Sequence, residues 1–230
     1  MGFARVLGRS WATLCRPIVT IMPPDLKALE AEIHKALKHG MDRHWHLAKD
    51  MLRVKPEYLL TAFVADHLSG VLEFETSIRL EEPTSRIIHQ IWLSSAGWGQ
   101  LHRKHEKWKG RNGKVDIFIA QEGPARCAVL ELKNLDPPAT EVRKDVKRLC
   151  DLLAIQSAAS PLVAGYLAFP TTMDWTKGLL KTVQSSTTNG VQLTHCMAHE
   201  ITGEDPEDGL PAYFSNVARF TRLSPPSKAA

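Results

Sequence analysis

Two neighbouring stretches, KVDIFIA at 114–120 and RCAVLELK at 126–133, are rich in β-branched and apolar residues and are separated by a short segment containing Gly123-Pro124. Strand-forming runs joined by such a turn predict a β-hairpin. PLVAGYLAF at 161–169 is apolar on both faces and predicts a buried, central strand. Helical spacing governs three other segments. Leu26, Leu29, Ile33 and Leu37 follow Asp25, a candidate N-cap, and the pattern stops at His39-Gly40. A second helix is predicted over 56–68, opened by Pro56 and closed by Ser69-Gly70. A third, over 139–156, carries Val142, Val146, Leu149 and Leu153 on one face. Alternation with Glu73 and Glu75 predicts a strand at 71–78. Further strands are expected at 87–93, 191–201 and 212–223, and a helix at 172–186. The order of helix, strand, hairpin, helix and strand indicates a layered α/β domain.

The chain of 230 residues, 43% hydrophobic and 23% charged, has the material for a real core, and its composition excludes a disordered or low-complexity protein. Residues 1–22 are basic and free of acids. That composition resembles an organelle transit peptide, and a leader ahead of a later start at Met22 or Met41 accounts for it equally. Either way, 1–22 are set aside as a disordered or leader segment, 23–224 are expected to form a single domain, and 225–230 a disordered tail. Cys15, Cys127, Cys150 and Cys196 are scattered with no C-x-x-C pair, so neither a disulfide framework nor a four-thiolate zinc site is expected, and a reducing, cytoplasmic setting follows. No apolar run approaches the ~20 residues of a membrane span.

Charge is unevenly placed. The net charge is +4, yet Arg103, Lys104, Lys107, Lys109, Arg111 and Lys114 lie together opposed only by Glu106. Trp108 sits among them and Trp98 just upstream, so the segment offers cations for phosphates and a surface for base stacking. A solvated lysine-rich loop is the plain alternative.

The segment runs directly into the hairpin, where the candidate chemistry lies. Period two puts Cys127, Val129, Glu131 and Lys133 on one face of their strand. Asp116 is out of phase with Val115, Ile117 and Ile119, and a charged aspartate inside V-D-I-F-I is costly unless paired or bound to a metal. Paired as a hairpin, the two strands bring Asp116 and Glu131 together with Lys133 beside them. Two carboxylates suit a magnesium or manganese ion that retains waters and takes further oxygens from a phosphate. Lys133 is placed to orient an attacking water and to offset charge in the transition state.

The arrangement D116…E131-L-K133, on a hairpin flanked by helix and strand on both sides, resembles the PD-(D/E)XK nuclease superfamily over residues 56–169. The resemblance implies a restriction-endonuclease-like αβββαβ core, here with a mixed sheet flanked by helices and with C-terminal strand additions. It also implies metal-dependent hydrolysis of phosphodiester bonds in DNA by Asp116, Glu131 and Lys133. Glu57 matches the glutamate many members carry on the first core helix as a metal or water contact, and D145-V-K-R148-L resembles the helix after the catalytic strand, where polar groups face the site. Val115 stands where the superfamily's proline would be, a common replacement. The expected partner is nucleic acid, gripped by Arg103, Lys104, Lys107, Trp108, Lys109, Arg111 and Lys114, with a second copy or a protein partner supplying specificity.

Two rivals share these features: a catalytically inactive nucleic-acid-binding or assembly module on the same fold, and a structural α/β protein whose basic loop meets acidic protein or lipid. His34, His39, His44 and His46 cluster in sequence, and His195 and His199 lie four apart, but no spacing completes a zinc site.

Overall fold

The computed structural model describes residues 25–48, 57–72, 76–93, 113–121, 126–155, 161–175, 178, 181, 190–201 and 212–223. The first helix, α1 (Leu26–Ala48), begins as its N-cap predicts. Asp25 Oδ1 accepts the Lys27 amide at 2.9 Å, and the Asp25 carbonyl takes the Leu29 amide at 2.9 Å. It does not stop at Gly40. A Cβ at Gly40 would lie 2.7 Å from Leu60 Cδ1, so the glycine serves the close approach of the next helix rather than a chain reversal. Met41 continues the buried stripe of Leu29, Ile33 and Leu37.

Helix α2 (Glu57–Val71) buries Leu60, Val64 and Leu68 at helical spacing. It runs on through Ser69-Gly70 and takes up Val71, so the strand expected at 71–78 is displaced: β1 spans Thr76–Pro83, and Glu73 and Glu75 lie outside the described residues. The strand expected at 87–93 is a helix, α3 (Thr84–Leu93). Ile87, Ile88 and Ile91 look strand-like by β propensity, but their spacing packs one turn of helix onto Val115 and Phe118. The start of α3 is tied to the next strand, for the Thr84 amide and hydroxyl both donate to the Gly113 carbonyl at 2.9 Å.

The remaining elements follow the sequence reading. They are β2 (Lys114–Gln121), β3 (Arg126–Leu132), α4 (Ala139–Ala154), β4 (Leu162–Thr171), β5 (Val191–Ile201) and β6 (Tyr213–Arg222). Most of the helix expected at 172–186 lies outside the described residues. All six strands form one mixed sheet in the order β1-β2-β3-β4-β6-β5. The pairs β1/β2, β2/β3, β4/β6 and β5/β6 are antiparallel, whereas β3/β4 is parallel and requires the crossover that α4 provides.

Helices cover both faces. On one, α3 and α4 pack on Phe118, Val129, Leu167 and Phe220. On the other, α1 and α2 pack on Ile117, Leu130, Ala164, Tyr166 and Val217. A Cβ at Gly165 would lie 3.1 Å from Leu149 Cδ2, so glycine lets α4 settle closely on β4. Among the described residues, no helix is long and apolar enough to cross a membrane.

Candidate active site

The register of β2 and β3 decides where the two carboxylates go. Ile117 faces Leu130 and Phe118 faces Val129, so the next step along the hairpin sets Asp116 opposite Glu131. Residues directly opposite in a sheet project to the same side. Here that side is the one carrying Phe118, Val129 and α4. The backbone ladder gives way at this step, and Asp116 Oδ2 accepts the Leu132 amide at 2.7 Å in its place. Asp116 is therefore held by the strand that bears Glu131.

On the other side of β2, Leu80 faces Ile117 and Glu82 faces Val115, which sets Glu81 beside Asp116. Glu81 leaves the ladder with φ of 52°, a conformation disfavoured for a residue with a Cβ, and its carboxylate lies 3.4 Å from Lys114 Nζ.

Beyond Leu132 the Lys133 amide still donates to the Ala168 carbonyl at 3.0 Å, so the lysine is held in line with the strand. Its Nζ lies 3.1 Å from Asp145 Oδ2 on α4. Asp145 is buried on the inward stripe of that helix, between Val142 and Leu149. Arg148, one turn on, gathers three groups. Its Nη1 lies 3.3 Å from Glu131 Oε1 and donates to the Lys114 carbonyl at 2.6 Å, while Nη2 is in close contact with Asp145 Oδ1.

Glu131 is fully buried, and neither carboxylate oxygen receives a hydrogen bond; the Arg148 contact is an ion pair without hydrogen-bond geometry. Burial above all, and then the charge of Asp116, push the Glu131 carboxyl well above the ordinary range; Asp145 adds to the rise, and Arg148 and Lys133 oppose it. On the same strand face, burial pushes the Cys127 thiol up to about 12, so it is an inert core group. Burial likewise pushes the Cys196 thiol up to about 11.

A buried carboxylate with unused oxygens, crowded by two others, fits a divalent cation. The donors are hard oxygens, as magnesium requires, and magnesium commonly needs only one or two carboxylates because it keeps its waters. Asp116 and Glu131 are the residues that would hold it. Among the described residues, no three His, Cys, Asp or Glu side chains form a ready-made metal site.

Asp116, Glu131 and Lys133 thus lie together at one end of the hairpin. Glu57 opens α2, which packs on the opposite face, and its side chain lies outside the described residues. Arg103, Lys104, Lys107, Trp108, Lys109 and Arg111 also lie outside them. Lys114 is exposed at the start of β2. Through the resemblance, the sequence reading sets Asp145 and Arg148 on a helix whose polar groups face the site, but it assigns neither of them a role. The signal for Asp145 was available, for it is a charge on the apolar stripe of a helix.

Fold and site define an α/β protein with a mixed six-stranded sheet and a carboxylate–lysine–arginine cluster at the open end of its central hairpin. The chain matches no family model, and no match is found among curated proteins or solved structures.

Proposed function

We propose that the protein is a metal-dependent nuclease of the PD-(D/E)XK type, hydrolysing phosphodiester bonds in DNA. The observation that carries this reading is the convergence of Asp116 and Glu131 on one face of the hairpin, with Lys133 beside them and the oxygens of Glu131 unused. The order α2, β1, β2, β3, α4, β4, with α3 inserted after β1, supports the same core. A bound divalent ion supplies a polarised phosphate oxygen and a more acidic water. The chain's own part is to orient and to neutralise. Asp116 and Glu131 fix the cation's position. The Lys133 ammonium, steadied by Asp145, faces the attacking water and offsets charge on the pentacoordinate phosphorus. Water forms the new P–O bond as the bond to the leaving sugar oxygen breaks; the attacking water gives its proton to solvent, and the departing oxygen takes one from solvent. The buried apolar flank of Val129 and Phe118 keeps bulk water from that side.

One observation favours the inactive binding or assembly module: Lys133 and Arg148 are both engaged by Asp145. Plasmid and single-stranded DNA incubated with magnesium, manganese or EDTA separate the readings. Cleavage by the wild-type chain, abolished by EDTA and by Lys133→Ala, is the expected result. Salt-sensitive DNA binding without cleavage under any metal establishes the inactive module instead.

A further inference from the structure

Among the described residues, the cluster includes the carboxyl groups of Asp116, Glu131 and Asp145 and the cations Lys133 and Arg148. Arg148 stands on the carboxylate that a divalent ion would take, 3.3 Å from Glu131 Oε1. A divalent ion on Glu131 would bring two positive charges against the Arg148 guanidinium, and like charges a few ångströms apart repel strongly in a poorly solvated site. The Lys133 side chain is 12% exposed and that of Arg148 33%, so Arg148 has the route to solvent. Its contact with Glu131 is also its weakest, longer than the 2.6 Å bond to the Lys114 carbonyl and without hydrogen-bond geometry.

From these contacts we infer that Arg148 is the resident counter-ion of the metal-free site: it holds Glu131 until a divalent cation binds, then releases Glu131 while Asp145 and the Lys114 carbonyl keep it nearby. It is a positioning residue that sets how tightly the site takes metal before nucleic acid arrives. The inference rests on the reading that Asp116 and Glu131 hold the cation.

The test is Mn²⁺ binding to the full chain without nucleic acid, read as loss of the free-ion paramagnetic resonance signal. Arg148→Gln is expected to bind Mn²⁺ roughly tenfold more tightly than wild type, because a competing charge is gone. Equal or weaker binding overturns the inference, as does failure of both forms to bind. A second readout uses the wild-type chain alone. The Arg148 Nε–Hε resonance, assigned by its loss in Arg148→Lys, is expected to shift on adding Mg²⁺, and a resonance that stays put overturns the inference. DNA cleavage that disappears in Glu131→Gln, combined with unchanged Mn²⁺ affinity in Arg148→Gln, sinks this inference and leaves the nuclease standing. Tighter Mn²⁺ binding in Arg148→Gln with no cleavage by any form keeps the inference and removes the nuclease.

Discussion

Glu131 is the residue with the most at stake. Its folded carboxyl titrates well above its unfolded value, so it favours the folded state in acid, where it is protonated in both states. As pH rises past about 4.5 the unfolded chain releases its proton first, and the folded protein loses stability through that window. A neutral isostere removes the penalty. Glu131→Gln is therefore expected to raise metal-free stability at neutral pH by on the order of 1 kcal/mol and to leave it little changed near pH 4, and on the proposed nuclease reading to abolish cleavage. Thermal melts at the two pH values check the first part. A variant less stable than wild type at neutral pH would show that the Arg148 ion pair outweighs desolvation. Asp116 differs from Glu131 because its carboxylate accepts the Leu132 amide and so belongs to the hairpin as much as to the site.

At the scale of elements, the site depends on how closely α4 sits on the sheet. The hairpin contributes Asp116, Glu131 and Lys133, and α4 contributes Asp145 and Arg148, so the distance between them sets the Lys133–Asp145 and Arg148–Glu131 pairs. Gly165 fixes that distance, with Leu149 Cδ2 only 3.1 Å from where a Cβ would be and Leu153 Cδ1 at 3.5 Å. Gly165→Val is expected to overpack this contact, costing about 1–3 kcal/mol. On the proposed nuclease reading it should also lower cleavage by lifting Asp145 from Lys133. Full activity in a folded Gly165→Val chain would show that α4 is not needed to align the centre. The hairpin and α4 were legible in the sequence because each is defined by its own period and its own turn or break. The element at 87–93 was not, because isoleucines favour strands locally while the contact with Val115 and Phe118 selects a helix.

At the scale of the whole molecule, α1 joins the chain's beginning to its last strands. His34 Nδ1 is 2.8 Å from the Ser215 hydroxyl on β6 and its ring meets His199 on β5 edge-on, while Glu30 pairs with His195 and with Arg219 Nη1 at 3.4 Å. Burial chiefly, then the charges of His199 and His195, push the His34 imidazole down to about 3. A base depressed in the folded state contributes stability above its unfolded value of 6.5, and that contribution is lost as pH falls from 6.5 towards 3. Acid is thus expected to weaken the fold by up to about 1.4 kcal/mol per pH unit through this group. His34→Gln should flatten that slope in denaturant titrations between pH 6.5 and 4. An unchanged slope would place the acid sensitivity elsewhere.

What the sequence determined by itself was local: the two strands of the hairpin, the central apolar strand, the capped start of α1, and the face on which Glu131 and Lys133 project. Side-chain alternation, an unbroken apolar run and a capping residue set these, and none of them needs a distant partner. The sheet order, with β6 inserted between β4 and β5, was decided only in three dimensions, as were the passage of α1 through Gly40 and the grip of Arg148 on Glu131. Each joins residues far apart in the chain, and such contacts arise from packing and charge balance in the folded protein, on which local periodicity is silent.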